Sequence, residues 1–402
     1  MEELSEESNP ENLSADKKQR AAYIEGRPDL FKTKILRIKK ERSGQGDEDT
    51  EGKNILVATR DPGSANALLP VLKELDTDPG IRITAITDGR AEEIIEREFH
   101  VEDLTPEDNI LTAEKIIGSP NVILIDNSEE KGIDTYVSAT FPDTPKILVE
   151  DYYANTISFL HILTERNIPL PDKICVMDEG AKELIIKEFP DLEKRIEVTG
   201  QPAFDRFATE DTERIARETR EKLGLKPGDK LVSFMSTIDG TEKVAHLAEA
   251  LKRISADFYF IFRRHPRDNT SYEAYRKILA DTGIKVIDAN DFSTNDIGAA
   301  SDVVLTTWST EGLHSIYRRK PTVNIVDKNF PVPEGIVLPL VPVKLGASVG
   351  LDSMEGLPEI LPQLLDTKSA LNRKLNKKMN KYYQADGKNA SRIAKIVKQY
   401  IK

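Results

Sequence analysis

Apolar residues arrive in short runs, and each run is followed by a stretch with helical spacing. From Lys53 the sequence reads NILVA, then a loop RDPGS, then ANALLPVLKEL, whose apolar positions recur every three or four residues. IRITAIT (81–87) follows with AEEIIEREF behind it, and NVILID (121–126), PKILVE (145–150) and DKICVM continue the series. Runs rich in β-branched residues without polar alternation suit strands buried on both faces. Strands alternating with helices predict a parallel sheet covered on both sides. EVTGQPAFDRF (197–207) interrupts the rhythm with Gly and Pro and reads as a junction. The rhythm restarts in KLVSFMS (230–236), DFYFIFR (257–263), IKVID, DVVLTT (302–307) and PTVNIV (321–326), with helical segments between them. The predicted fold class is α/β: two doubly wound Rossmann-like domains, residues 53–204 and 205–385, facing a cleft. Residues 386–402 read as a separate C-terminal helix.

Residues 1–52 look different and read as an extension, disordered or helical, whose apolar content is too small to offset chain entropy. Within it FKTKILRIKKER (31–42) interleaves Phe31, Ile35, Leu36 and Ile38 with bases. A solvated helix or tether and a surface helix drawn to anionic lipid are the two readings. From Lys368 onward eleven Lys or Arg face one acid, Asp386. That segment is either a solvated helix face or one attracted to phosphate or an anionic membrane.

Composition narrows the function classes. A net charge of −12 argues against general nucleic-acid binding, and one tryptophan leaves no strip for stacking single strands. The single cysteine, Cys175, excludes an intramolecular disulfide and a Cys-based zinc site. The acidic start lacks a signal-peptide core. The apolar stretch Gly335–Leu351 is cut by Pro339, Pro342 and Lys344, so it is no membrane span. A cytoplasmic protein, with peripheral membrane contact only through the basic segments, is the expectation.

Ligands of open α/β sheets sit at the carboxyl ends of the strands, so chemistry is sought there. Arg60, Asp61, Pro62, Gly63 and Ser64 follow the first strand and open a helix, where backbone N–H groups can hold an anion or a hydroxyl. Asp126, then Glu150, Asp151 and Tyr152, then Asp178 follow later strands and form a polar rim. Asp61, Glu150 and Asp151 are the candidates for a general base. Gly63, Ser64, Asp126 and Tyr152 are the candidates for the acceptor side. In the second half Ser236 and Thr237 follow one strand. Arg263, Arg264, His265, Pro266 and Arg267 follow the next. Guanidinium forks bind phosphate bidentately, and His265 can protonate a leaving oxygen. Trp308, Ser309, Thr310, Glu311 and Gly312 open a helix after DVVLTT. Helix capping and phosphate binding both explain Ser309 and Thr310. Glu311 suits ribose hydroxyls, and Trp308 a base or sugar. His314 lies one turn beyond Glu311, where packing is its commoner role.

Strand, STEG, helix and RKPTV together resemble the nucleotide-donor segment of GT-B glycosyltransferases, particularly CDP-glycerol glycerophosphotransferases and relatives of UDP-N-acetylglucosamine 2-epimerase. VTGQPAFD (198–205) resembles the family's interdomain connection, FRRHPRD (262–268) its His-Pro phosphate loop, and DGKNASRI (386–393) its C-terminal helix, which in that fold crosses back onto the first domain. The resemblance implies a transferase without a bound metal or cofactor. It would move a glycosyl or glycerophosphoryl-type group from a UDP- or CDP-linked donor to a surface polysaccharide, polymer or lipid-linked acceptor. An epimerase acting on the nucleotide sugar alone, or a non-catalytic nucleotide-sugar-binding protein, are the alternatives. The epimerases carry GTRPE, EAG-type and DSGG-EE segments where this chain has Arg60–Ser64, Glu150–Tyr152 and Ser309–Gly312. The N-terminal acceptor-site histidine of the glycerophosphotransferases has no clear counterpart; His100 and His161 stand outside any recognisable motif.

Overall fold

A computed structural model describes residues 33–39, 53–87, 90–105, 117–127, 132–153, 155–236, 240–265, 268–327, 332 and 337–401. It divides the chain into two compact units, Met1–Ala203 with Lys388–Lys402, and Phe204–Gly387. No helix among the described residues is long and apolar enough to cross a membrane.

The first unit is built on an eight-stranded sheet: β1 (Lys34–Ile38), β2 (Lys53–Thr59), β3 (Ile81–Thr87), β4 (Val101–Asp103), β5 (Val122–Ile125), β6 (Lys146–Val149), β7 (Lys173–Val176) and β8 (Ile196–Val198). Their spatial order is β4-β1-β3-β2-β5-β6-β7-β8. From β3 to β8 neighbours are parallel, while β1 runs antiparallel to β3 and β4. Strands such as VILI and KILV are buried at every position, which requires cover on both faces. The helix Pro62–Asp76 supplies part of one cover with Ala67, Leu68, Val71, Leu72 and Leu75. The C-terminal helix Asn389–Tyr400 packs into the same core through Ile393, Ala394 and Val397.

Strand β1 corrects the reading of residues 31–42 as helix or tether. Ile35 and Leu36 are both fully buried, and the strand bonds to neighbours on both sides. Its bases meet acids of neighbouring segments: Lys34 pairs with Glu92 at 2.8 Å and Arg37 with Glu102 at 3.9 Å. The expectation of an extension also covered 1–32 and 40–52, which lie outside the described residues.

The second unit has six parallel strands: β9 (Leu231–Met235), β10 (Tyr259–Arg263), β11 (Lys285–Val286), β12 (Val303–Thr306), β13 (Thr322–Ile325) and β14 (Val349–Leu351), in the order β11-β10-β9-β12-β13-β14. The order reverses between β2 and β5 in the first sheet and between β9 and β12 in the second. At such a switch point crossovers leave in opposite directions and open a crevice at the strand ends.

Candidate active site

In the second unit three strand ends lie level, because Arg263 of β10 and Thr306 of β12 both pair with Met235 of β9. Ser236, the basic loop and Trp308–Gly312 therefore emerge at one edge, with β9 between the two motif-bearing strands. Ser236 is buried and its N–H donates to Arg263 O at 3.0 Å. Arg263 donates to Asn290 O at 3.2 Å. Arg264 turns inward and donates to the carbonyls of Asp268 (2.7 Å) and Thr270 (2.6 Å), tying the loop that carries His265. Asp268 fastens that loop by accepting from Tyr275 Oη at 2.6 Å and from Thr270 N at 2.8 Å. Half-buried His265 thus stands on a braced loop, and one arginine of the cluster is spent in bracing it. Thr237 and Arg267 lie outside the described residues.

The helix Thr310–Tyr317 begins at the N-cap Ser309, whose Oγ accepts from Glu311 N. Thr310 is exposed in its first turn, and Trp308 is half-buried before the cap. Gly312 is where the helix meets β12; a methyl there would come within 3.1 Å of Thr306 Cγ2. Glu311 keeps 24% of its side chain exposed and lies 3.3 Å from His314 Nδ1. Burial works to raise its pKa, but His314 and the guanidinium groups of Arg318 and Arg206 outweigh it and hold the carboxyl below its usual range. Arg206 Nη2 lies 3.5 Å from the same Nδ1, and Phe204 and Phe207 flank the imidazole. Buried Arg318 grips Glu210 with two bonds of 2.6 and 2.8 Å and also bonds Asn295. Sequence reasoning missed Arg206 and Arg318; the i,i+3 spacing of Glu311 and His314 was the one local signal.

In the first unit Thr59, Asp126, Glu150 and Asp178 end or follow neighbouring strands, and helix Pro62–Asp76 starts beside them. Asp61 is its exposed N-cap residue and makes no side-chain cap bond. Ser64 is buried in the first turn. Glu150 is buried, with one carboxyl oxygen accepting from Met177 N at 3.1 Å and the other from Thr156 Oγ1 at 3.3 Å. Burial above all, with Asp178 and Asp151 adding, pushes its pKa up to about 8. Half-buried Asp151 has its N–H donating to Asn127 Oδ1 (3.3 Å) and its Oδ1 accepting from Asn155 (3.2 Å). Its Oδ2 lies over the first turn at Gly63, where a Cβ would sit 3.2 Å from it. Burial, reinforced by Asp61, raises Asp151 to about 6 against the bonds from Asn155 and Tyr152 N. Asp126 is fully buried, and burial, then Asp134 and Asp151, raise it well above the carboxylate range. Tyr152 is half-buried, edge-on to Tyr153, whose hydroxyl donates to Asp178 at 2.6 Å. Among the described residues no group of three or more His, Cys, Asp or Glu could hold a metal ion.

Glu150 makes a stability prediction. Its folded pKa of about 8 lies above the unfolded value, so the stability it contributes is full below about 4.5 and is lost as pH rises to about 8. Glu150→Gln, neutral throughout, should narrow the gap between urea stabilities at acid and alkaline pH; an unchanged gap would show that the group does not titrate as the fold implies.

Two of the segments quoted for the resemblance, VTGQPAFD and DGKNASRI, meet. Asn389 donates to Gln201 O at 3.0 Å and Arg392 to Thr199 O at 3.2 Å, so the turn before the junction and the start of the C-terminal helix are one hydrogen-bonded seat. The fold matches solved structures with the GT-B fold. A glycosyltransferase from Rickettsia africae aligns at TM-score 0.59 and 13% identity, covering 88% of this chain and 100% of its own. UDP-GlcNAc 2-epimerase from Neisseria meningitidis, bound to UDP-GlcNAc, aligns at 0.60 and 13% over 86% and 100%. The wall teichoic acid polymerase TagF, soaked with CDPG, aligns at 0.53 and 13% over 96% and 94%. None of the curated proteins matches in sequence. Residues 163–399 match the profile of CDP-glycerol:poly(glycerophosphate) glycerophosphotransferase, and the chain belongs to that family of transferases.

Proposed function

We propose that the enzyme transfers glycerophosphate from CDP-glycerol to a hydroxyl of a teichoic-acid-like polymer or lipid-linked acceptor. The family match over residues 163–399 carries this reading, since it spans His265 and Ser309–Glu311. The acceptor oxygen attacks the glycerol-bearing phosphorus, the P–O–P bridge breaks and CMP departs. Little covalent work falls to the protein; positioning and charge stabilisation dominate phosphoryl transfer. Arg263, His265 and the N-terminus of the Thr310–Tyr317 helix face the developing charge, with Ser309 and Thr310 adding hydroxyl donors. Arg264 holds the loop. Glu311, kept ionised by His314 and two arginines, binds the ribose. Asp151 takes the acceptor proton, because Glu150 has both oxygens engaged.

Glu311→Gln should weaken CDP-glycerol binding by about 1.5–3 kcal/mol, the loss of a charge-assisted hydrogen bond, and leave the fold intact. Calorimetric titration measures it, and unchanged affinity would remove Glu311 from the donor site. CMP release from CDP-glycerol, set beside isomerisation of UDP-GlcNAc, separates transfer from epimerase chemistry.

A further inference from the structure

The helix Ala370–Tyr382 buries one side and leaves the other strongly basic. Leu375 and Met379 are buried, and Asn372 donates to Leu364 O at 2.8 Å, seating the helix on its neighbour Leu357–Leu365. On the outer side Arg373, Lys374, Lys377 and Lys381 are exposed, with Lys378 half-buried beside them. Residues 367–385 hold six bases, these five and Lys368, and no acid. None of the six has an ion-pair partner among the described residues. Some surface lysines elsewhere do pair closely: Lys73 with Glu98 at 2.7 Å, Lys173 with Glu197 at 2.8 Å, Lys285 with Asp257 at 2.8 Å. Like charges spaced i,i+4 weaken a helix, yet here they repeat as 373, 377, 381 and as 374, 378. They form two adjacent rows with a step of about one turn, roughly 5.4 Å.

We propose that this face is a track for a linear polyanion, namely the phosphodiester chain that the enzyme extends; the choice of polymer rests on the transfer reading above. Each transferred unit adds one phosphodiester and one negative charge. A protein of net charge −12 repels such a chain over much of its surface and attracts it where bases are concentrated with no acid paired to them. The rows of charge match a chain whose charges recur along a line. A bilayer is the poorer fit. A helix lying in a membrane interface sinks an apolar face into it, whereas here that face is used inside the protein. The exposed large hydrophobics among the described residues, Val198, Val337 and Leu338, are not on this helix.

The test is binding of a fluorescent synthetic poly(glycerol phosphate) oligomer, measured by anisotropy across a salt series. Arg373→Gln, Lys374→Gln, Lys377→Gln and Lys381→Gln are combined in one variant, with a Lys→Arg triple at 374, 377 and 381 as the charge-preserving control. The native chain should bind with an affinity that falls steeply with salt. The neutralised variant should bind at least about tenfold more weakly at low salt with a shallower slope, because fewer counterions are released. The Arg control should bind like the native chain, and all three should melt alike. Equal binding by the native and neutralised proteins, or none by the native one, overturns the track. So does variant-sensitive binding to phosphatidylglycerol vesicles without binding of the free oligomer, which would make the face a membrane contact. CDP-glycerol titration of the same proteins is the independent arm. Oligomer binding lost in the variant, with CDP-glycerol bound by none of them, leaves the polyanion surface standing and defeats the transfer reading.

Discussion

Asp151→Asn should lower turnover by about 10²–10⁴-fold, the range for loss of a positioned general base, with little change in CDP-glycerol affinity. Two held atoms and the position of a third support the assignment. The backbone N–H is fixed by Asn127, Oδ1 by Asn155, and Oδ2 lies over the helix start at Gly63. A base works best with a pKa close to the operating pH. Burial and Asp61 bring this one up to about 6 without closing it off. The native rate should therefore rise with pH through about 6 as the carboxylate forms, and the Asn variant should lack that limb. Steady-state rates across pH decide the matter; a near-native rate, or a limb that survives the substitution, would take Asp151 out of the reaction.

Removing residues 1–52 should prevent the first unit from folding cooperatively. β1 sits between β3 and β4 and buries Ile35, Leu36 and Ile38, each worth about 1.5–3 kcal/mol. Its loss also strips β3 of its antiparallel partner and detaches β4. Those combined losses rival the whole stability of an ordinary domain, about 5–15 kcal/mol. Leu36→Ala in the full chain is the milder form and should cost about 2–5 kcal/mol. Denaturant melts of both proteins test this; a truncated chain as stable as the parent would show that the sheet does not need its antiparallel strand.

The parallel strands were legible because sheets covered on both faces demand near-continuous apolar runs such as VILI and VVLT, each followed by a helix-like segment. β1 was not. KILRI carries two bases among its apolar residues, and the acids that meet Lys34 and Arg37 lie on distant segments, at Glu92 and Glu102. Strand-end residues could be read as a rim, since topology alone puts them at one edge. Which rim residues keep an oxygen for chemistry could not be read. Glu150 is engaged by Met177 N, 27 positions away, and Arg264 by carbonyls of its own loop. The setting of Glu311 depends on Arg206 touching His314 across 108 positions, a pairing without any local trace.

The seat of the C-terminal helix has a consequence for synthesis. Ala390, Ile393, Ala394, Val397 and Ile401 complete a core whose other members come from before residue 204, and the whole second unit is translated in between. Domains ordinarily fold as they leave the ribosome, N-terminal first. Here the first unit emerges with a bare apolar groove along helix Pro62–Asp76 and waits for the second unit to be made before that groove is filled. The nascent chain therefore passes through a long interval in which its oldest part is its least finished, and a holdase that covers that groove during translation would be guarding one identifiable surface.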